Sequence, residues 1–290
     1  MSEEKNFIEG TLPETMGVLG GGRMGAGIAH AFLVSGSSVT VVERDEDSAS
    51  AAYERVAESV DKSIARGAVS ESREQILGRF KTSTQYADFA QAQLVIEAVP
   101  ELWDLKLTSL KAVEAVIGQD AVLASNTSSL SVSGLAEELA RPQNFLGLHF
   151  FNPVPASTLI EVVIGKQTNE QLVDGARGWV QGLGKTAVVV NDAPGFASSR
   201  LGVAIALEAM RMVEEGVASA EDIDNAMVLG YKHPTGPLKT TDIVGLDVRL
   251  GIAEYLHETL GDRFAPPQIL KDLVAEGKLG RKTGQGFYTW

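Results

Sequence analysis

Of the four histidines in this 290-residue chain, one stands in company suited to acid–base chemistry. His149 falls near the carboxyl end of the apolar run Phe145–Phe150. Beyond a Pro-rich turn, Glu161 interrupts a second apolar run, Leu159-Ile160-Glu161-Val162-Val163. A carboxylate inside such a run needs a partner, because burying a lone charge is costly. An imidazole across the turn supplies one. Together they suit the oxidation of an alcohol by a nicotinamide, in which a base takes the hydroxyl proton as hydride leaves. Imidazole titrates near working pH, and a carboxylate behind it fixes the tautomer and favours the imidazolium. Ser125 ends the preceding apolar run and is placed either to hydrogen-bond the same oxygen or to serve as a turn or capping serine. His30, His233 and His257 read as structural or solvated.

A second group of residues points to the nicotinamide carrier. The stretch Met16 to Val42 opens with Met16-Gly17-Val18-Leu19, which suits a buried strand. Gly20-x-Gly22-x-x-Gly25 follows, then an apolar helical pattern through Ile28, Ala29, Phe32 and Leu33. Gly20 permits the tight turn, Gly22 lets backbone approach a pyrophosphate, and Gly25 allows close helix–strand packing. The first-turn N–H groups and the helix dipole then face the phosphates. A second β-branched run, Val39–Val42, ends at Glu43, where a carboxylate accepts hydrogen bonds from ribose hydroxyls. Arg44 comes next and pulls towards a 2′-phosphate. Glu43 sits at the strand end and favours NAD over NADP.

Composition excludes other classes. The chain holds no cysteine, so disulfides, thiol nucleophiles and cysteine metal sites are ruled out. A net charge of −13 argues against a nucleic-acid partner, since phosphate binding is largely cationic neutralisation. The acidic start MSEEKNFIEG lacks the basic and apolar segments of a signal peptide, and no apolar run approaches membrane-spanning length. The expectation is a cytoplasmic protein without a membrane partner.

The elements that must position these residues alternate along the first two thirds. Helical periods over 48–66, 72–77, 102–116, 132–140 and 169–183 separate apolar runs at 80–82, 94–96, 121–124, 145–150, 159–163 and 186–190. Such alternation predicts an α/β fold, a doubly wound, mostly parallel sheet. Ligands in such sheets bind outside the carboxyl ends of the strands, which singles out Glu97, Ser125, Asn126, His149 and Asn152. Asn191-Asp192-Ala193-Pro194-Gly195 breaks the pattern and divides domains 1–193 and 194–290. The second reads as all-α, with helical periods over 198–215, 220–229, 243–260 and 267–275. Residues 1 to about 14 read as a tail.

The chain resembles the short-chain 3-hydroxyacyl-CoA dehydrogenases, especially bacterial 3-hydroxybutyryl-CoA dehydrogenases, from Met16 to Trp290. The resemblance rests on Val18-Leu19-Gly20-Gly21-Gly22-Arg23-Met24-Gly25, Ala124-Ser125-Asn126-Thr127-Ser128-Ser129 and Gly147-Leu148-His149-Phe150-Phe151-Asn152-Pro153-Val154-Pro155. Leu159-Ile160-Glu161-Val162, Ala193-Pro194-Gly195-Phe196 and the closing Gly280-Arg281-Lys282-Thr283-Gly284-Gln285-Gly286-Phe287-Tyr288 extend it. It implies a Rossmann-type NAD domain and a helical domain that dimerises and closes over substrate. His149 would be the general base, Glu161 its orienting partner, and Ser125 a substrate ligand. Gly20, Gly22, Gly25, Glu43, Glu101, Lys106, Asn152 and Lys282 match cofactor-contacting positions. Lys62 matches a lysine near the coenzyme A phosphates, although by pattern alone it is a solvated helix residue. Two departures bear on substrate: Ser199 stands where the family carries an asparagine, and Glu58 where some relatives carry a lysine. They keep open a related enzyme acting on a non-CoA 3-hydroxy acid or ring alcohol. A crystallin-like structural role is the remaining alternative, against which the retained His149 and Glu161 weigh.

Overall fold

The computed structural model describes residues 11–290. Most of the expected N-terminal tail lies outside the described residues. The chain divides into two units, 1–192 and 193–290, each with its own core.

The first unit is built on eight short strands: β1 (Thr15–Leu19), β2 (Ser38–Val42), β3 (Phe80–Ser83), β4 (Leu94–Glu97), β5 (Val122–Ser125), β6 (Phe145–Phe150), β7 (Leu159–Ile164) and β8 (Thr186–Asn191). They form one sheet in the order β3-β2-β1-β4-β5-β6-β7-β8. Every pairing is parallel except β6 with β7. The strands beside β1 read as unbroken apolar runs because helices cover both faces of a parallel sheet. Those helices are α1 (Arg23–Val34), α2 (Glu46–Ala65), α3 (Arg73–Leu77), α4 (Trp103–Glu114), α5 (Val132–Glu137) and α6 (Glu170–Gly182). Their starts follow local chemistry. Asp45 caps α2 by accepting from Ser48 N, and Ser131 caps α5 by accepting from Gly134 N, as its sequence position predicts. No side chain caps α1: Gly22 is its N-cap, and its first turn holds no acid. Its leading N–H groups are therefore left for a ligand.

The second unit packs α7 (Ser198–Glu214), α8 (Ala220–Asn225), α9 (Pro237–Val244), α10 (Leu246–Leu260) and α11 (Gln268–Ala275) around Leu207, Met210, Leu238, Leu246, Leu256 and Leu270. The helical period expected to start at Ile243 is two helices. Gly245, at φ 111°, ends α9 and opens α10, and Pro237 at the first turn of α9 marks a start that the sequence reading passed over. The helix expected over 220–229 is also divided, since α8 gives way to a π-helical turn over Ala226–Gly230. Two buried aspartates hold the C-terminal segment. Asp242 accepts from Phe287 N, Tyr288 N and the Trp290 indole at 2.9 Å each. Asp224 accepts from Leu238 N, Lys239 N and the Tyr288 hydroxyl. A Cβ at Gly280 or Gly286 would collide with Asp242, so both must be glycine.

Candidate active site

The antiparallel turn-back between β6 and β7 makes a buried histidine–carboxylate pair. It places His149 directly opposite Glu161 in the sheet register. Neighbours directly opposite in an antiparallel pair carry their side chains on the same face. His149 Nδ1 and Glu161 Oε2 lie 2.8 Å apart, both buried. The Phe151 ring tilts against the imidazole with centroids 4.4 Å apart. With Nδ1 engaged by the carboxylate, proton exchange with a substrate falls to Nε2.

The register also lines up two polar residues at the ends of β4 and β5. Leu19, Glu97 and Ser125 stand level on β1, β4 and β5. Ser125 Oγ donates to Glu97 Oε2 at 2.6 Å and accepts from Thr127 N at 3.2 Å. The other oxygen of Glu97 accepts from Val99 N and Lys106 Nζ, both at 2.7 Å. Lys106, only 1% exposed, also reaches Glu101 Oε2 at 3.2 Å. Glu101 in turn gathers the Ser-rich turn, accepting from Thr127 Oγ1, Ser128 N and Ser129 N. Burial pushes the Glu101 carboxyl up, but Lys106 and the Thr127 and Ser128 donors outweigh it and hold it below the usual range. Lys106 thus works from beneath, holding two carboxylates in place. Glu97 and Asn126 were singled out by position but given no role; a lone acid at the end of Leu94-Val95-Ile96 was the signal.

At the glycine turn the residues fit a dinucleotide. Gly20 takes φ 90°, and a Cβ at Gly25 would collide with the Gly20 carbonyl. A Cβ position at Gly22, by contrast, meets nothing within 4 Å, which leaves open space for a pyrophosphate against the bare start of α1. Glu43 Oε1 accepts from Gly21 N at 2.6 Å, so the acid is fixed beside the loop. Arg44 is 84% exposed and pairs with Asp45 at 3.0 Å, turned to solvent.

A cavity of about 320 Å³ lies between α1, α2 and the Asn152–Pro155 turn. Arg23, Arg55, Glu58, Ser59 and Asn152 line it. Arg55 also donates to the Gly21 carbonyl at 3.2 Å. Neither arginine was singled out from sequence. Lys62 is 59% exposed and held by Glu58 at 2.7 Å, so the Glu58 departure neutralises the neighbouring lysine. Lys185 donates to the carbonyls of Val154 and Ser157, pinning the far end of that turn. Ser199 and Lys282 belong to the second unit. Ser199 lies in the first turn of α7, and Lys282 pairs with both oxygens of Asp247 at 2.5 and 2.6 Å.

Comparison with known proteins decides the family. Residues 15–193 match the 3-hydroxyacyl-CoA dehydrogenase NAD-binding domain, and residues 195–290 match the C-terminal domain of the same family. The chain belongs to the 3-hydroxyacyl-CoA dehydrogenase family. A probable 3-hydroxybutyryl-CoA dehydrogenase of Deinococcus radiodurans is 40% identical over 275 residues, covering 94% of this chain and 99% of the relative. A 3-hydroxybutyryl-CoA dehydrogenase of Mycobacterium tuberculosis is 40% identical over 281 residues, 96% of this chain and 98% of its own. Among solved structures, the (S)-3-hydroxybutyryl-CoA dehydrogenase of Ralstonia eutropha superposes with a TM-score of 0.91 at 38% identity, covering 96% and 99% of the two chains. A diketoreductase acting on dicarbonyl compounds superposes at 0.85 with 29% identity, covering 97% and 100%. The family's fold, a mostly parallel NAD-binding sheet followed by a helical domain, is the fold found here.

Proposed function

We propose that this 3-hydroxyacyl-CoA dehydrogenase interconverts a short-chain (3S)-3-hydroxyacyl-CoA, such as the four-carbon ester, and its 3-ketoacyl-CoA. The observation that carries the chemistry is the buried His149–Glu161 pair on the sheet that bears the dinucleotide loop. NAD, when bound, supplies the hydride acceptor. Gly20, Gly22 and Gly25 shape its pyrophosphate seat, and Glu43 meets the ribose. Glu101 and Asn152 lie along the cofactor path, Lys106 acts on it through Glu101, and Lys282 is carried by the helical unit. In oxidation His149 takes the hydroxyl proton, and Glu161 stabilises the imidazolium and holds the ring. In reduction the same imidazolium returns the proton to the carbonyl oxygen. Ser125 belongs to the substrate site in this reading, Ser199 is the substrate-binding candidate carried by the helical unit, and Arg23 and Arg55 join Lys62 as cations for the coenzyme A phosphates.

The helical unit carries the dimer contact in this reading. It exposes Leu201, Val217, Leu229 and Tyr231, the last at 76%, apolar surface that a second copy would remove from water. No helix among the described residues is long and apolar enough to cross a membrane.

A second reading, reduction of a free keto acid, is favoured by the Glu58–Lys62 pair, which spends the lysine on an internal partner. NADH consumption with acetoacetyl-CoA against free acetoacetate separates the two. We expect the ester to lead by about 100-fold or more in kcat/KM, because binding energy from the remote handle is used at the reacting carbon. Equal use of the free acid establishes the second reading.

A further inference from the structure

Two half-buried arginines of this chain have a carboxylate in reach: Arg79 faces Glu71, and Arg141 faces Glu114. Arg249 on α10 departs from that pattern. It is only 8% exposed, and its guanidinium has no hydrogen bond or ion pair to any described residue. Acids inside the same unit are engaged elsewhere. Asp242 and Asp224 hold the C-terminal segment, and Asp247, two residues before Arg249, is bound by Lys282. Burial pushes the guanidinium below its ordinary pKa, and no neighbouring carboxylate opposes the shift. An uncompensated charge at that depth is costly, so the site calls for a counter-ion that the unit itself does not supply.

Helix α7 decides how the guanidinium is presented. A Cβ at Gly202 would stand 3.3 Å from Nη1 and 3.8 Å from Nη2, so this glycine makes the room in which the charged end lies. Nε is sealed from solvent, whereas the Nη edge is not. Parallel N–H donors on that edge match the two oxygens of a carboxylate. Gly202 follows Ser199 by three residues on α7, which sets the two positions side by side, about 5–6 Å apart. Ser199 is the substrate-binding candidate of this unit. The open cation therefore lies a few carbon atoms along the helix from the residue proposed to meet the acyl group.

We propose that Arg249 binds a carboxylate at the far end of the acyl chain, so that the substrate is the 3-hydroxyacyl thioester of a dicarboxylic acid. The proposal rests on the dehydrogenase reading above and refines its acyl group. A methyl-ended chain of the same length would leave the guanidinium buried and unpaired. The site therefore discriminates against the neutral chain as well as favouring the charged one, as a buried polar group left without its partner does.

NADH-dependent reduction of acetoacetyl-CoA, 3-oxohexanoyl-CoA and 3-oxoadipyl-CoA tests this. The last two have equal chains and differ only in a terminal methyl or carboxylate. The unmodified protein should favour the carboxylate-ended chain over its methyl-ended counterpart by about 10²-fold or more in kcat/KM, a comparison that needs no variant. Arg249→Leu should abolish the preference, lowering kcat/KM for 3-oxoadipyl-CoA by about 10²–10³-fold and holding that for 3-oxohexanoyl-CoA within a small factor. Arg249→Lys should keep part of the preference, because it retains the charge and loses the fork. Equal use of the two six-carbon chains by the unmodified protein overturns the proposal. So does an equal loss on both chains in Arg249→Leu, or a smaller assembly of that variant on gel filtration, which would assign the counter-ion to a second copy. Reduction of none of the three thioesters would instead sink the dehydrogenase reading itself.

Discussion

At the scale of single residues, the decisive fact is that neither buried glutamate among the described residues is alone. Glu161 meets His149 and Glu97 meets Lys106, and each pair sits under the sheet edge where ligands bind. Removing one partner of a buried ion pair costs about 3–5 kcal/mol, so Lys106→Met should unfold or loosen the Ser125–Ser129 turn rather than only weaken ligand binding. The His149–Glu161 pair should behave differently, because in the proposed reaction His149 serves the chemistry more than the fold. His149→Ala should lower turnover by about 10²–10⁴-fold, the usual worth of general acid–base catalysis, while NADH binding stays nearly intact. Glu161→Gln should lose less, since the base remains and only its orientation and charge support are spoiled. Steady-state turnover and NADH titration of both variants check the pair, and wild-type turnover without His149 would falsify the mechanism.

At the scale of elements, α1 and α2 do two jobs on opposite sides of their contact. One end of α1 faces the phosphate seat, while its buried side packs Ile28, Ala29 and Phe32 into the core. His30 is buried in that contact, its Nε2 2.9 Å from Ser63 Oγ on α2. Burial pushes the imidazole below its ordinary value near 6.5; the Ser59 carbonyl opposes this and Lys185 adds to it. A histidine whose folded pKa is lowered binds fewer protons folded than unfolded. Its contribution to stability is therefore present above the unfolded value and lost as pH falls through 6.5 towards the folded one. The melting temperature should drop between about pH 7.5 and 5.5, and His30→Gln should flatten that drop, because no group remains to charge in the helix contact. An unchanged pH slope in the variant would remove His30 as its cause.

For the whole molecule, two cores in one chain mean that a ligand of one unit stabilises that unit first. Cofactor at about 100 times its Kd should add about 2.7 kcal/mol to the unit that binds it. Calorimetry should show NADH raising the transition of the Rossmann unit. NADPH at the same concentration should raise it less, because Glu43 faces the loop while Arg44 is paired with Asp45 in solvent. An exposed arginine returns only about 0–1 kcal/mol, less than an acid against a 2′-phosphate costs. Glu43→Ala should narrow the difference. Equal stabilisation by the two dinucleotides in the unmodified protein would show that Arg44 governs the choice.

Local chemistry made much of this protein legible before folding was considered. The alternation of apolar runs and helical periods announces the doubly wound sheet, and Gly20, Gly22, Gly25 and Glu43 announce the phosphate turn, because backbone freedom and strand-end acids act within a few residues. Ser131 caps its helix for the same local reason. Glu161 was legible as a buried acid in want of a partner, and His149 as the nearest candidate. What needed tertiary structure was every contact made across strands. The reversal at β7, which brings His149 opposite Glu161, depends on strand order, and a sequence period carries no strand direction. The Glu97–Lys106 and Asn126–Phe150 bonds join segments far apart in the chain through sheet register. The break at Gly245 passed unseen because apolar periodicity runs on through a single residue at positive φ. The sequence determined which elements form and which residues could do chemistry. Packing decided which hydrogens those residues have left to give.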